Sequence, residues 1–415
     1  MHKSSSHDVF TVLFYIPSFY GSLTWGVWFI LYLLKLIRVD EVSSSALIIF
    51  IVVEILFILS TCLAYPRYRD LLQSRMTADV YQPGSVAFPG KPLLIMLHGL
   101  GGVGLLKYFM DISSFFGGVN YVLFALMNEA ASIRGNVDLP TSMGTQLSYF
   151  GWIAIAFTIL GIANKKLSKW WLFLVGMQFI GNFVYIDRTR PIWIIFTALL
   201  MILPSAVSPD IKKILKWMSV ALVASIILFW LGAEWTGKSY YEDKFDDPAI
   251  PGITQVMYAY GVSGFAYFNH MIENNEPISY KPERIMYPLM KIFTKFGLTK
   301  EPPSPILEFY DVPFETNVGT FLEPFYRDGG FVFVLFGALI YSFGFDLLAL
   351  RFIESNDPFA LFAWSNLCFT AFIAFFTPKV TQFPIWLFIG LCLISLLKKY
   401  LHTNVMSYSE KKLEC

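Results

Sequence analysis

Three carboxylates, Glu315, Glu323 and Asp328, stand close together around NVGTFLEPFYRDGG, the passage from Asn317 to Gly330. A carboxylate that holds its proton more tightly because it is buried can deprotonate a hydroxyl. Glu315 and Glu323 are read as such groups. Asp328 has a second reading, because an apolar helix is expected to begin there and Asp caps helix starts. His270, in YFNHMIENN, is the one histidine between residues 234 and 327 and is another candidate base. Its bland reading is a polar residue on an exposed helix face.

The candidate cations are arginines. Arg188 and Arg190 sit in YIDRTRP, a short turn between two apolar stretches. Guanidinium binds phosphate bidentately and keeps its charge, so the pair could hold a pyrophosphate. Anchoring to lipid headgroups is the alternative. Arg134 in SIRGNVD, Arg284 in KPERIMYP and Arg327 in FYRDGG are further cations of the same kind. Glu54 lies inside IFIVVEILFILS, and an acid within an apolar run is a functional candidate by default. Tyr258, Tyr260, Phe265, Tyr267 and Phe268 could stack on sugar faces, although interface belts also collect aromatics. Gly99, Gly101, Gly102 and Gly104 spell a dinucleotide fingerprint, but no strand precedes them. Close helix packing explains them better. No HExxH, DxD or Cys/His cluster points to a metal, and no cofactor is expected.

The elements that must position these groups are membrane helices. The chain has 415 residues, 56% of them hydrophobic and 15% charged. Its mean hydropathy is +0.57. Apolar runs near the length needed to span hydrocarbon recur throughout. Helices are expected at 9–36, 45–64, 92–110, 143–163, 169–186, 191–208, 212–233, 328–350, 358–377 and 383–398. Pro17 should kink the first. Ile112–Met127 is read as re-entrant or interfacial. The whole chain is one integral membrane domain, all-α, with a large loop at 234–327 that contains a helical middle. Net charge is +1, which argues against a nucleic-acid partner. The four cysteines have neither metal nor disulfide spacing. Lysine and arginine concentrate at 65–91, 163–169, 210–216 and in the C-terminal tail. Lys/Arg excess marks the cytoplasmic side. All four regions share that side if both termini are cytoplasmic and the long loop is not.

With these residues in place, the chain resembles the bacterial O-antigen and polysaccharide repeat-unit polymerases of the Wzy type. Thr316-Asn317-Val318-Gly319-Thr320-Phe321, Pro324-Phe325-Tyr326 and Asp328-Gly329-Gly330 carry the resemblance. Gly329 stands where an aromatic is common in that family. The resemblance implies a metal-independent glycosyltransferase of the inner membrane, acting on undecaprenyl-pyrophosphate-linked oligosaccharide at the periplasmic face. Arg188, Arg190, Arg134, Arg284 and Arg327 would hold pyrophosphate. Asn317, Thr320 and Tyr326 would touch sugar. Membrane lipids, a chain-length regulator and a flippase would be its partners. A lipid-linked oligosaccharide flippase and an O-antigen ligase are the competing readings.

Reporter fusions test the side assignment. Fusions after Lys166 and after Glu276 are expected to report opposite compartments; the same compartment for both would refute the ten-span arrangement.

Overall fold

The computed structural model describes residues 9–77, 88–122, 143–203 apart from 184 and 186–188, scattered positions between 216 and 231, and 252–413 apart from 305–306 and 313. Most of the span expected at 212–233 lies outside the described residues, as do Arg134 and Arg188. The helices run α1 (Val9–Leu13), α2 (Pro17–Leu34), α3 (Ser44–Thr77), α4 (Lys91–Phe115), α5 (Met143–Ala163), α6 (Leu172–Phe183) and α7 (Thr189–Leu200). After them come α8 (Gly252–Glu273), α9 (Tyr287–Lys295), α10 (Leu322–Leu339), α11 (Phe345–Ser355), α12 (Pro358–Phe372) and α13 (Phe383–Leu413). Strands β1 (Tyr310–Asp311) and β2 (Glu315–Thr316) form a small antiparallel ribbon before α10.

Four stretches among the described residues are long and apolar enough to cross a membrane: Ser44–Ser74, Lys91–Phe115, Met143–Ala163 and Leu322–Ser355. Their outer faces expose Ile48, Ile58, Leu63, Leu106 and Met110. An apolar surface of this extent suits lipid rather than water. The chain is an all-α, membrane-embedded protein.

Local chemistry sets several helix ends. Pro17 does more than kink the first expected span: α1 stops at Leu13, and α2 starts with Pro17 in its first turn, where a missing N–H costs nothing. Asp357 caps α12, its Oδ1 accepting from the Phe359 and Ala360 amides at 2.9 and 3.1 Å. Ile112 to Phe115 continue α4 instead of opening a separate segment, which corrects that part of the 112–127 reading. The glycine fingerprint proves to be a packing seam. A Cβ on Gly101 would stand 2.5 Å from the Gly151 Cα, so α4 and α5 meet backbone to backbone.

The last long stretch, Leu322–Ser355, is not a straight span. A straight helix would separate residues 321 and 341 by about 30 Å. Instead the Phe321 and Tyr341 rings lie 4.2 Å apart, and the Phe325 ring packs on Gly337. The chain therefore folds back on itself. Gly330 makes the turn, at φ 64 and ψ −153, a conformation that is essentially glycine's alone. A short arm, residues 322–328, descends into the protein beside the long arm that begins at Phe331. Phe321, just before the short arm, packs on Trp25 and Phe57, near the middles of α2 and α3. The expected span from Asp328 is corrected accordingly: the crossing starts at Phe331, and Asp328 belongs to the re-entrant arm.

A second break faces the first. Helix α12 has 15 residues, about 22 Å, too few to cross the hydrocarbon. It ends beside the middle of α2, where Thr24 Oγ1 donates to the Phe372 carbonyl at 2.7 Å. The chain from 373 to 382 is largely irregular. Its Ala374 carbonyl accepts from the Phe321 amide at 2.9 Å, and its Val380 amide donates to Tyr341 Oη at 3.3 Å. Irregular backbone at membrane depth is tolerated where protein surrounds it or a polar cavity adjoins it.

Replacing Gly330 by alanine forces a side chain into this glycine-only conformation. It is expected to destabilise the fold by about 1–3 kcal/mol, measured by thermal unfolding in detergent. A melting curve identical to that of the wild type would remove the hairpin turn from its structural role.

Candidate functional site

The short arm carries Glu323, Arg327 and Asp328, and all three side chains are buried. Glu323 and Arg327 are one turn apart, so they face the same side. Glu323 Oε1 lies 2.8 Å from Arg327 Nε, as an ion pair with side-chain exposures of only 3% and 11%. Arg327 reaches three further groups. Nη1 lies 3.4 Å from Glu276 Oε2. Nη2 donates to Tyr310 Oη at 3.1 Å and to Tyr267 Oη at 3.3 Å. Tyr310 in turn donates to Glu276 Oε1 at 2.6 Å. Burial raises the affinity of the Tyr310 phenol for its proton, with Glu276 adding to the effect and Arg327 opposing it.

These partners come from separate elements. Tyr267 lies on α8, whose buried face fills the space beside α2 and α3: Phe265 meets Trp25 edge-on, ring centres 4.7 Å apart. Asn269 fixes the helix to the α2–α3 connection, accepting from the Ser43 amide at 2.8 Å and donating to the Glu41 carbonyl at 2.9 Å. Tyr310 comes from β1, stacked on Tyr267 at 4.7 Å. Glu276 begins a strap, residues 276–286, that crosses the tip of the hairpin. In that strap the Ser279 amide donates to the Arg327 carbonyl at 2.8 Å.

Asp328 is held by the same strap. Its Oδ2 accepts from the Arg284 and Ile285 amides at 2.9 and 2.8 Å. This corrects the capping expectation: Asp328 caps the strap and not its own helix. Its Oδ1 is buried and has no hydrogen-bond donor among the described residues. The Arg284 charge acts on both Asp328 and Glu323.

The other expected residues separate into two groups. His270 joins the cluster's edge, its ring 4.7 Å from that of Tyr310. Glu315 is exposed on β2, paired across the ribbon with Asp311. Thr320 is buried, and its Oγ1 accepts from the Leu322 amide at 3.2 Å, a cap for the short arm. Tyr326 is buried edge-on against Phe268 and Phe331. The sugar-contact readings of Thr320 and Tyr326 give way to these structural roles, whereas Asn317 stays partly open. Phe265, Tyr267 and Phe268 are fully buried, so they are core and not a sugar platform. Arg327, expected as a pyrophosphate cation, is engaged by two carboxylates and two phenols. Glu54 sits in the α2–α3 seam, accepting from Ser22 Oγ at 2.7 Å.

Arg190 lies on α7. It is buried, its guanidinium 3.7 Å from the Tyr185 ring centre and 5.2 Å from that of Tyr149. Sequence reasoning passed over Glu276, Tyr310 and Lys379. Lys379 carried a usable signal: it is a lysine in the short stretch between two apolar helices. Glu276 and Tyr310 carried none, because only the hairpin brings them to Arg327. Among the described residues, no group of His, Cys, Asp and Glu could hold a metal.

No family model, no curated protein and no solved structure matches this chain.

Removing one member of the Glu323–Arg327 pair leaves an uncompensated buried charge. R327M is expected to destabilise the fold by about 3–5 kcal/mol, and E323Q combined with R327M to recover part of that loss. Melting temperatures of the two single variants and the double variant test this; strictly additive losses would show that the pair is not coupled.

Proposed function

We propose that this chain is a repeat-unit polymerase of the Wzy kind. In this reading it crosses a bacterial inner membrane with about ten spans, with both termini cytoplasmic and residues 234–327 on the periplasmic side. The observation that carries the reading is the re-entrant hairpin. It brings Glu323, Asp328 and Glu276 together with the Arg327 guanidinium inside a membrane-embedded bundle, beneath a strap from the long loop. Such groups are costly in a membrane and are kept where they act.

Asp328 is the proposed base. Two backbone amides fix Oδ2, which leaves Oδ1 to accept the proton of an acceptor hydroxyl. The hydroxyl oxygen then bonds to the anomeric carbon of the donor chain. The bond from that carbon to the prenyl pyrophosphate breaks, and the pyrophosphate leaves with the electron pair. Glu323 sets the position of Arg327, and Arg327 ties the short arm to Tyr267, Tyr310 and Glu276.

The broken helices also suit a transporter, because transporters place sites at such breaks. A strain lacking this chain separates the readings. Polymerase loss leaves single repeat units on the surface glycolipid and no longer chains. Flippase loss leaves no surface repeat, and ligase loss leaves polymer on the carrier. Asp328→Asn, expressed at wild-type level, is expected to lower polymerisation by roughly 10²- to 10⁴-fold. Long chains from the deletion strain would refute the polymerase reading.

A further inference from the structure

The strap leads directly into α9. Its Arg284 and Ile285 amides bond to Asp328, and α9 begins two residues further on, at Tyr287. Two residues reach at most about 7 Å. Asp328 in turn stands three residues before Phe331, where the crossing starts, and Phe331 and Val332 are exposed as a lipid-facing surface is. The first turn of α9 therefore lies at the level where the chain enters the membrane. The sequence of α9 suits that level. Leu289, Ile292, Phe293 and Phe296 follow one another at the spacing of a single helix face. Tyr287, Lys291, Thr294 and Lys295 fall on the other side.

The end of the helix extends that division. Gly297, at φ 70, closes α9 in the left-handed region, and the Leu298 amide donates to the Phe293 carbonyl at 2.9 Å. This closure sets Leu298 beside the apolar face. The polar side is covered by the chain that follows. Thr294 Oγ1 donates to the Lys300 carbonyl at 2.9 Å, and Lys291 pairs with Glu301. The apolar side has no such cover from the core: among the described residues the core reaches Ile285 and includes none of the four. Phe296 and Leu298 are 75% and 71% exposed. Charge is segregated as well. Five of the eight Lys and Arg residues between 234 and 327 fall within 281–300, against one acid, Glu283. An apolar face flanked by cations, placed where the chain enters lipid, has the chemistry of a helix that lies in an anionic bilayer surface.

We infer that α9, with Leu298, is an interfacial anchor: its apolar face enters the acyl boundary of the bilayer, and Lys295 and Lys300 bind the headgroups of anionic phospholipid. The inference needs only a membrane-embedded chain and holds whatever reaction the hairpin performs. Lysine suits the place, because its stem stays with apolar surface while the ammonium group reaches phosphate. A soluble protein partner would leave Phe296 and Leu298 in water until it arrived, whereas the leaflet is already beside them. The anchor acts on the strap. At one end the Ser279 amide holds the strap to the Arg327 carbonyl; at the other α9 holds it to the leaflet. Asp328, bonded between the two, is kept at a fixed depth beneath the bilayer surface.

The test uses the full chain in nanodiscs of phosphatidylcholine with and without phosphatidylglycerol. A benzophenone amino acid takes the place of Phe296, of Leu298 or, as a positive control, of Val332, all three exposed. Light is expected to attach phospholipid at 296 and 298, as at 332. With both lipids present, phosphatidylglycerol should exceed its share of the bilayer in the 296 adducts. Lys295 and Lys300 are exposed, so their replacement leaves the fold intact. K295Q and K300Q should each lower the enrichment by up to about fivefold, the factor that one cation near an anionic surface supplies. Lipid adducts at 332 but at neither 296 nor 298 overturn the anchor, as do cross-links from these positions to a second copy of the chain. An enrichment unchanged in the K295Q/K300Q double variant overturns the headgroup assignment. Hydrogen exchange on the wild-type chain gives a readout free of substitutions. The α9 amides should exchange more slowly when phosphatidylglycerol is present, and equal rates in the two bilayers overturn headgroup binding.

Discussion

The ion pair between Glu323 and Arg327 is the constraint around which the outer part of this fold is organised. A charge pair at this depth is tolerated only if nearly every remaining donor and acceptor finds a partner. Arg327 meets that demand with Glu276, Tyr310 and Tyr267, each from a different element. Those elements therefore have to converge. The strap crosses the hairpin because Glu276 must reach Arg327, and α8 lies beside α2 because Tyr267 must. The hairpin exists because one glycine turns the chain back after Asp328, so that the charged arm descends among α2, α3 and α8 instead of projecting into water.

The carrier of this network is aromatic packing. Trp25 meets Phe50, Phe57, Phe265 and Phe321 edge-on or tilted. Rings at such angles attract beyond their buried area, by about 0.5–1.5 kcal/mol per pair. Phe321 thus anchors the foot of the short arm at a fixed depth, and the charged residues that follow are placed by that anchor. The Phe321 amide, which starts the arm, is satisfied by Ala374. Each irregular segment supplies the polar partner that the other lacks, and neither break would be stable alone in hydrocarbon.

Much of the helical layout was legible because it rests on local hydropathy and on proline, asparagine and aspartate at helix ends. The span 143–163 is read to the residue, α8 emerges where an apolar middle was seen in the long loop, and the glycine fingerprint is the packing seam expected of it. The hairpin was not legible. Between its charged start and Asp346 the Leu322–Ser355 stretch is apolar throughout, and hydropathy does not record direction. The signal was Gly329-Gly330 directly after Asp328, a pair that local reading assigns to a motif and not to a reversal. The site was half legible for the same reason. Glu323, Asp328 and Arg284 were identified from residue type, whereas Glu276 and Tyr310 depend on a fold-back that brings distant segments together. Arg327 was identified as a cation, but its pairing with Glu323 was not read: the one-turn spacing is visible in sequence and the burial is not.

Two buried aspartates show how such a protein separates structure from chemistry. Asp346 lies just after a widened turn of helix at Ile340–Gly344. Its Oδ1 accepts from the Ser18 amide at 2.9 Å, and its Oδ2 accepts from the Ser18 and Ser60 hydroxyls at 2.6 Å each. Both oxygens are engaged by donors from α2 and α3, so Asp346 binds three helices together and has little capacity left for a ligand. Asp328 has the same side chain and similar burial, but only one oxygen is engaged. An unsatisfied buried acceptor costs about 1–3 kcal/mol, and packing could have removed it with one hydroxyl, as Ser18 and Ser60 do for Asp346. Three donors engage Asp346, whereas only one oxygen of Asp328 has a donor among the described residues. The difference between the two aspartates, more than the presence of either, is the ground on which the hairpin is proposed to carry chemistry.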